Sequence, residues 1–187
     1  MRHEEGKKDQ VSYIPVELDQ VAQIITGSTP PKIKKEFYGG DFPLVKPPEL
    51  GNCIVEDANE KLSEKGAKVA DVAPKGSILV SCIGNLGKTG LATKPVAFNQ
   101  QINAIVPVSV KDSKWIFYAT QSSDFLEQMY RVASATTISI VNKSKFSRLH
   151  IPWTEDEDLK QYVVEEIEKQ FTRLESGVSA LKHIQAN

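Results

Sequence analysis

The stretch Asp158-Leu159-Lys160-Gln161-Tyr162-Val163-Val164-Glu165-Glu166-Ile167-Glu168-Lys169-Gln170-Phe171-Thr172-Arg173-Leu174-Glu175-Ser176-Gly177-Val178-Ser179-Ala180-Leu181-Lys182-His183 decides how the chain is organised. Within it Val164, Ile167, Phe171, Leu174, Val178 and Leu181 step by 3, 4, 3, 4 and 3. That is the a/d spacing with which an α-helix buries one seam against a partner helix. Residues 155–183 contain no proline and a single glycine, Gly177. Acidic residues 155–158 stand at the start, where the helix dipole favours negative charge. The spacing predicts a rod of roughly 28 residues, about 42 Å long. Its first turns are free to lie on the chain's own body while the rest meets a partner.

Working outward from the rod, residues 1–12 are polar and predict a flexible arm, 13–153 a globular body, and 154–187 the long helix with its approach. The body predicts a mixture of short strands and helices. Leu18, Val21, Ala22 and Ile25 have the spacing of a short amphipathic helix, with Gly27 as its stop and Pro30-Pro31 beyond. Phe42-Pro43-Leu44-Val45-Lys46 predicts a strand after the Gly39-Gly40 turn. Residues 57–70 read as a short polar helix. Gly76-Ser77-Ile78-Leu79-Val80-Ser81-Cys82-Ile83-Gly84, Leu91-Ala92-Thr93 and Ile102-Asn103-Ala104-Ile105-Val106-Pro107-Val108 read as strands, the first two joined by a glycine-rich turn. Residues 114–128 predict one helix that buries Ile116, Phe117, Ala119, Phe125 and Leu126. The fold class is therefore α+β, a mixed body followed by one coiled-coil-type helix.

Composition narrows the function classes. Hydrophobic residues make up 40% and charged residues 25% of the 187, ordinary for a globular protein and unlike a disordered one. No apolar run approaches the roughly 18–20 residues of a membrane span. The charged start of the chain leads into no apolar segment of a secretory signal. Cys53 and Cys82 fit no zinc spacing and no disulfide framework, so a reduced cytoplasm is the expected location. The net charge of −1 hides a split. Residues 1–150 hold 19 Lys+Arg against 16 Asp+Glu, and residues 151–187 hold 4 against 8. A mildly basic body suits a polyanion better than the acidic tail does.

Gly84-Asn85-Leu86-Gly87-Lys88-Thr89 ends like a phosphate-binding loop, but Cys82 stands where the first glycine belongs, and a hairpin turn fits better. His3, His150 and His183 are scattered, and none accompanies a nucleophile motif. Residues suited to base or phosphate contact cluster in loops instead. They are Ser28, Thr29, Lys32, Lys34 and Lys35; Lys46; Asn85 and Lys88; and Thr136, Thr137, Asn142, Lys143 and Lys145. Lysine reaches guanine acceptors or phosphates, asparagine pairs with adenine, and hydroxyls bond either. The same residue types also cap strands and solvate surfaces, and composition alone leaves both readings open.

Four segments together resemble the specificity subunit of type I restriction–modification systems. They are Ile24-Ile25-Thr26-Gly27-Ser28-Thr29-Pro30; Tyr38-Gly39-Gly40-Asp41-Phe42-Pro43-Leu44-Val45-Lys46; Ile83-Gly84-Asn85-Leu86-Gly87-Lys88 with Phe98-Asn99-Gln100-Gln101-Ile102-Asn103-Ala104-Ile105; and the run from Ala135-Thr136-Thr137 through Asn142-Lys143-Ser144-Lys145-Phe146 to Leu149-His150-Ile151-Pro152. The resemblance implies a non-catalytic DNA-recognition domain that reads one half of a bipartite target. It implies a helix that pairs antiparallel with a second and sets the distance between half-sites. It also implies methyltransferase and restriction/translocase subunits as partners, which carry the S-adenosylmethionine, ATP and magnesium; no cofactor or metal is expected on this chain. Residues common to readers of different targets, such as Asn99, Gln100 and Gln101, serve the scaffold on this view. The chain departs from the family in holding one recognition domain and one helix, as a half-size subunit that dimerises or as part of a longer one. Its approach to the helix, Pro152-Trp153-Thr154-Glu155-Asp156-Glu157-Asp158, also differs from the family's proline-rich, glutamine-containing entry. The competing readings are a helix-mediated interaction scaffold that reads no sequence and a nucleotide-binding enzyme built on residues 84–89.

Overall fold

The computed structural model describes residues 13–134 and 138–185. In chain order the elements are β1 (Ile14–Glu17), the single turn α1 (Leu18–Val21), β2 (Ala22–Thr26), β3 (Tyr38–Val45), β4 (Cys53–Val55) and β5 (Glu60–Leu62). Then follow α2 (Glu64–Ala67), β6 (Val72–Ala73), β7 (Ile78–Ser81), β8 (Thr89–Ala92), β9 (Val96–Phe98) and β10 (Ile102–Pro107). The last are α3 (Ser113–Ala119), α4 (Ser123–Val132), α5 (Lys143–Phe146), β11 (His150–Trp153) and α6 (Glu157–Gln185).

A five-stranded sheet has the order β2-β10-β7-β8-β4, a four-stranded sheet the order β5-β3-β9-β6, and β1 pairs with β11 alone. Alternation along two central strands explains the layering. Ile78 and Val80 of β7 and Ile105 of β10 point to a core shared with Ile116, Phe117, Phe125, Met129 and Phe146 of the helices. Leu79 of β7 and Ile102 and Ala104 of β10 point the other way, onto Val45, Val96 and Phe98 of the second sheet. A sheet covered on both faces needs apolar residues at consecutive positions, which is why these strands read as unbroken apolar runs. The α+β class expected from the sequence is the one observed.

Several local expectations need correction. The segment 16–25 is not a helix: it is β1, one turn, and β2. Ala22 and Ile24 are buried, with exposed Gln23 between them, and β10 pairs with them in register. Tertiary pairing outweighs a 3-and-4 spacing only two turns long. Residues 57–70 hold β5 and the four-residue α2, whose Ser63 caps Gly66 N–H at 3.1 Å. The single helix expected over 114–128 is two. Thr120 and Ser122 turn their hydroxyls back to the carbonyls of Phe117 and Ala119, and Ser122 caps α4. Leu126 consequently lies at the surface. The strands β4, β6, β9 and β11 were not foreseen.

The predicted rod is present as α6, 29 residues long. Asp156 Oδ1 accepts from Leu159 N–H at 3.0 Å and starts it. Its root lies on the body: Val164 is buried, and Tyr118 stacks on Phe171 with centroids 6.2 Å apart. Lys160 Nζ bonds Asp112 Oδ1 at 2.6 Å and Glu157 Oε1 at 2.9 Å, and lies 4.0 Å from the centroid of the Trp153 ring. Burial works against the Lys160 charge, but the hydrogen bonds it donates to Asp112 and Glu157 outweigh that and hold its pKa above the ordinary lysine value. Trp115 Nε1 donates to Pro152 O at 2.8 Å across the same junction. Farther on, Phe171, Leu174, Val178 and Leu181 are 49%, 64%, 50% and 62% exposed. The seam thus begins in contact with the body and continues bare.

Candidate nucleic-acid interface

Strand register brings the polar loops to one end of the five-stranded sheet. Thr26 lies opposite Asn103, Ile102 opposite Ser81, and Val80 opposite Thr89. The loop after β2, the turn before β10 and the turn from β7 to β8 therefore emerge side by side.

Cross-bonds tie these loops together. Gly27 N–H donates to Ile102 O at 3.1 Å and Cys82 N–H to Gln101 O at 2.8 Å. Thr26 Oγ1 donates to Asn103 Oδ1 at 2.7 Å, and Thr29 Oγ1 to Gln100 Oε1 at 2.9 Å. Asn99 folds onto its own turn, accepting from Gln101 N–H at 3.2 Å and donating to Gln101 Oε1 at 2.9 Å. A Cβ on Gly27 would sit 2.4 Å from the carbonyl oxygens of Phe98 and Asn99. Gly27 is therefore a close-approach position between two loops, and the expectation of a helix stop there is corrected. Burial pushes the Cys82 thiol beneath this network up to about 12.

The third polar cluster joins the first two. Val141 N–H donates to Cys82 O and Gly84 N–H to Ser139 O, each at 2.9 Å. The segment 139–141 thus lies beside 82–84. Thr136 and Thr137 fall outside the described residues. Gly84 and Gly87 take φ of 75° and 77° in the turn, and Ser81 Oγ accepts from Lys88 N–H at 2.9 Å within it. The strand β8 follows, where a phosphate-binding loop requires a helix N-terminus; the 84–89 segment is a hairpin turn.

Individual candidates divide by what already holds them. Lys46 pairs with Glu60, and its N–H donates to Glu49 Oε2 at 2.6 Å. Lys145 Nζ donates to Val132 O at 2.8 Å, and Asn142 Oδ1 caps α5 through Lys145 N–H at 2.9 Å. Ser28 Oγ accepts from Asp71 N–H at 3.1 Å. Lys32, Lys34, Lys35, Lys88 and Lys143 form no ion pair among the described residues, and Asn85 is exposed at the turn. Lys34 lies 5.4 Å from the Phe37 ring centroid, while Lys32 and Lys35 line a cleft with Tyr38, Asn59, Glu60 and Lys61. The Tyr38 hydroxyl donates to Pro30 O and steadies that loop. Burial, then Glu60, raise its pKa, while Lys46 opposes them.

Charge supplies a signal that composition of the whole chain concealed. Segments 26–35, 82–90, 99–103 and 138–148 contain Lys32, Lys34, Lys35, Lys88, Lys143, Lys145 and Arg148, and no Asp or Glu. The loops gathered at that end, 26–35, 82–90 and 99–103, thus carry Lys32, Lys34, Lys35 and Lys88 and no carboxylate of their own, although Glu60 lines the cleft beside Lys32 and Lys35. Segment 138–148 touches them at 139–141 and runs on towards Leu18 and Asp19. Sequence reasoning also missed Lys160, Asp112, Trp153 and Tyr118 at the helix root; a lone lysine in the acidic run 155–158 and 165–168 was the available sign. No group of His, Cys, Asp and Glu among the described residues is placed to hold a metal ion. No helix among them is long and apolar enough to cross a membrane.

A mixed body followed by a projecting helix has known counterparts. The type I restriction modification DNA specificity domain matches residues 11–179, and the chain belongs to that family. It is 34% identical over 138 residues to the specificity subunit of the type I restriction enzyme HindI of Haemophilus influenzae, covering 72% of this chain and 30% of that subunit. The MjaIX specificity subunit of Methanocaldococcus jannaschii is 25% identical over 164 residues, covering 82% of this chain and 38% of that one. The crystal structure of a type I restriction–modification S subunit from M. genitalium superimposes with a TM-score of 0.65 at 18% identity, over 93% of this chain and 43% of that chain. The chain thus spans under half the length of each.

Proposed function

We propose that this chain reads one half of a bipartite double-stranded DNA target within a type I restriction–modification complex. The observation that carries the reading is the convergence of three acid-free loop segments, 26–35, 82–90 and 99–103, at one end of the sheet, with Lys32, Lys34, Lys35 and Lys88 on them and none of the four in an ion pair among the described residues. Lys88 beside exposed Asn85, with Lys32, Lys34 and Lys35 on the loop after β2, suits phosphate anchoring beside base contact. The chain acts without catalysis and without a cofactor or metal of its own. S-adenosylmethionine, ATP and magnesium belong to methyltransferase and translocase subunits that it positions on DNA. The bare seam of α6 pairs with a second helix, supplied by another copy or by a further part of a longer chain, and sets the distance between half-sites.

The test is selection from randomised duplex DNA by the chain together with the methyltransferase subunit from the same genome. An enriched short motif, single or repeated at a fixed spacing, is expected. A stable protein complex that enriches no sequence would instead support the interaction scaffold, for which the bare seam is the favouring observation.

A further inference from the structure

Among the described residues, Lys160 and Asp112 are the charged side chains in the buried set. They lie 48 residues apart in sequence and meet at 2.6 Å. An ion pair withdrawn from water stabilises a fold less than apolar groups of the same shape often do. What it imposes is direction, because both partners must stay aligned to offset their lost hydration. Lys160 satisfies three groups at once: Asp112 before α3, the face of Trp153 on β11, and Glu157 one turn back in α6. A second contact stands farther along the helix, where Tyr118 of α3 stacks on Phe171 and bonds Glu168 Oε1 at 3.2 Å. The separation of Lys160 and Phe171 is about 16 Å along a helix axis, and two fixed points that far apart define a direction.

We infer that Lys160 and Asp112 are positioning residues that fix the angle between α6 and the body, and so the spacing at which two half-sites are read; the inference rests on the DNA-reading role proposed above. The lever is short. The strand β10 carries the chain from the loop end at Ile102 to the α3 end at Pro107, five steps or about 17 Å. A rotation of about 11° at the root therefore moves the loops by about 3.4 Å, one base-pair step of the duplex. A root that wavered by that angle would accept neighbouring spacings. Burial also shields the pair from salt, so the angle holds at ionic strengths where phosphate contacts weaken.

The experiment uses the full chain with its methyltransferase subunit, as wild type, Lys160→Met and the double variant Asp112→Asn with Lys160→Met. The double variant leaves no unpaired buried charge and serves if the single variant folds poorly. Selection uses duplexes with two randomised half-sites and spacers of varied length. The expected result is one dominant spacer for wild type and at least two adjacent spacers for the variants, with unchanged half-site sequences. A folded variant that keeps the wild-type spacer distribution overturns the inference, because a merely structural role lowers stability without touching spacing. In parallel, nitroxide labels at Lys94→Cys and Ser176→Cys, in a Cys53→Ser background, report the body-to-helix distance without DNA. A broadened distance distribution in the variants is expected, and an unchanged one overturns the inference independently. Wild type that enriches no motif overturns the DNA-reading role, while the nitroxide distances still judge the clamp.

Discussion

Asn103 and Cys82 meet side chain to side chain beneath the polar loops, Nδ2 to Sγ at 3.3 Å, while Asn103 Oδ1 accepts from Thr26 Oγ1. One buried amide thereby ties three strand ends together. Asn103→Ala removes a bonded group and strands the Thr26 hydroxyl, for a loss of about 1–3 kcal/mol. Urea unfolding measures it; a change below about 0.5 kcal/mol, within the range of ordinary surface substitutions, would show that the network contributes little.

Alkaline pH should destabilise the fold. Cys82 titrates near its ordinary 9.0 when unfolded but at about 12 when folded, and Tyr118 rises from 10.0 to about 12 through burial and then Glu168. Above pH 9 the unfolded chain releases these protons first. The stabilisation is fully present below pH 9 and is lost as pH climbs towards 12. The urea midpoint should fall between pH 8.5 and 10.5, and Cys82→Ala should flatten part of that fall. An identical slope in the variant would remove Cys82 from the explanation.

Salt dependence separates the lysines. If Lys32, Lys34, Lys35, Lys88 and Lys143 contact phosphates, each alanine variant should lower DNA affinity and reduce the slope of log K against log salt by about 0.9. Lys46→Ala and Lys145→Ala, whose ammonium groups already bond Glu60 and Val132 O, should leave that slope unchanged. Filter binding from low to moderate salt makes the comparison. Equal slopes across both sets would contradict this division.

The bare seam makes its own prediction. Leu174→Lys with Val178→Lys should abolish helix-mediated association in sedimentation analysis, because two ammonium groups replace apolar contacts. The melting of the body should stay where it was, since both side chains are at least half exposed in the single chain. A body that melts earlier would mean the outer helix packs on it after all.

Legibility followed the length of the pattern. Three heptads from Val164 to Leu181 announced α6, and the two-faced burial of Ile78-Leu79-Val80 announced a central strand. The four-residue spacing at Leu18 and Ala22 misled, because the alternation Ala22-Gln23-Ile24 competes with it and only pairing with β10 decides. Strands of two or three residues such as β6 and β9 are too short to display a period. At the site, residue chemistry was readable and partnership was not. Nothing local distinguishes Lys46, held by Glu60, from Lys35, which has no ion pair, because the distinction rests on contacts distant in sequence. The root of α6 stayed hidden for the same reason, since Asp112 lies 48 positions from Lys160.

The pairing of β1 with β11 sets Ile14 opposite Trp153 and Glu17 opposite His150. The polypeptide therefore enters and leaves the body through one narrow gate, directly at the foot of the long helix. Everything between Leu18 and Leu149 is a closed excursion from that gate. A body with different loops would have to present the same two strand ends, and partners equivalent to Asp112 and Tyr118, to meet the same helix in the same way. The fold is thus built like a cartridge seated in a socket: the excursion can differ in its outer loops while its seat on the helix stays the same.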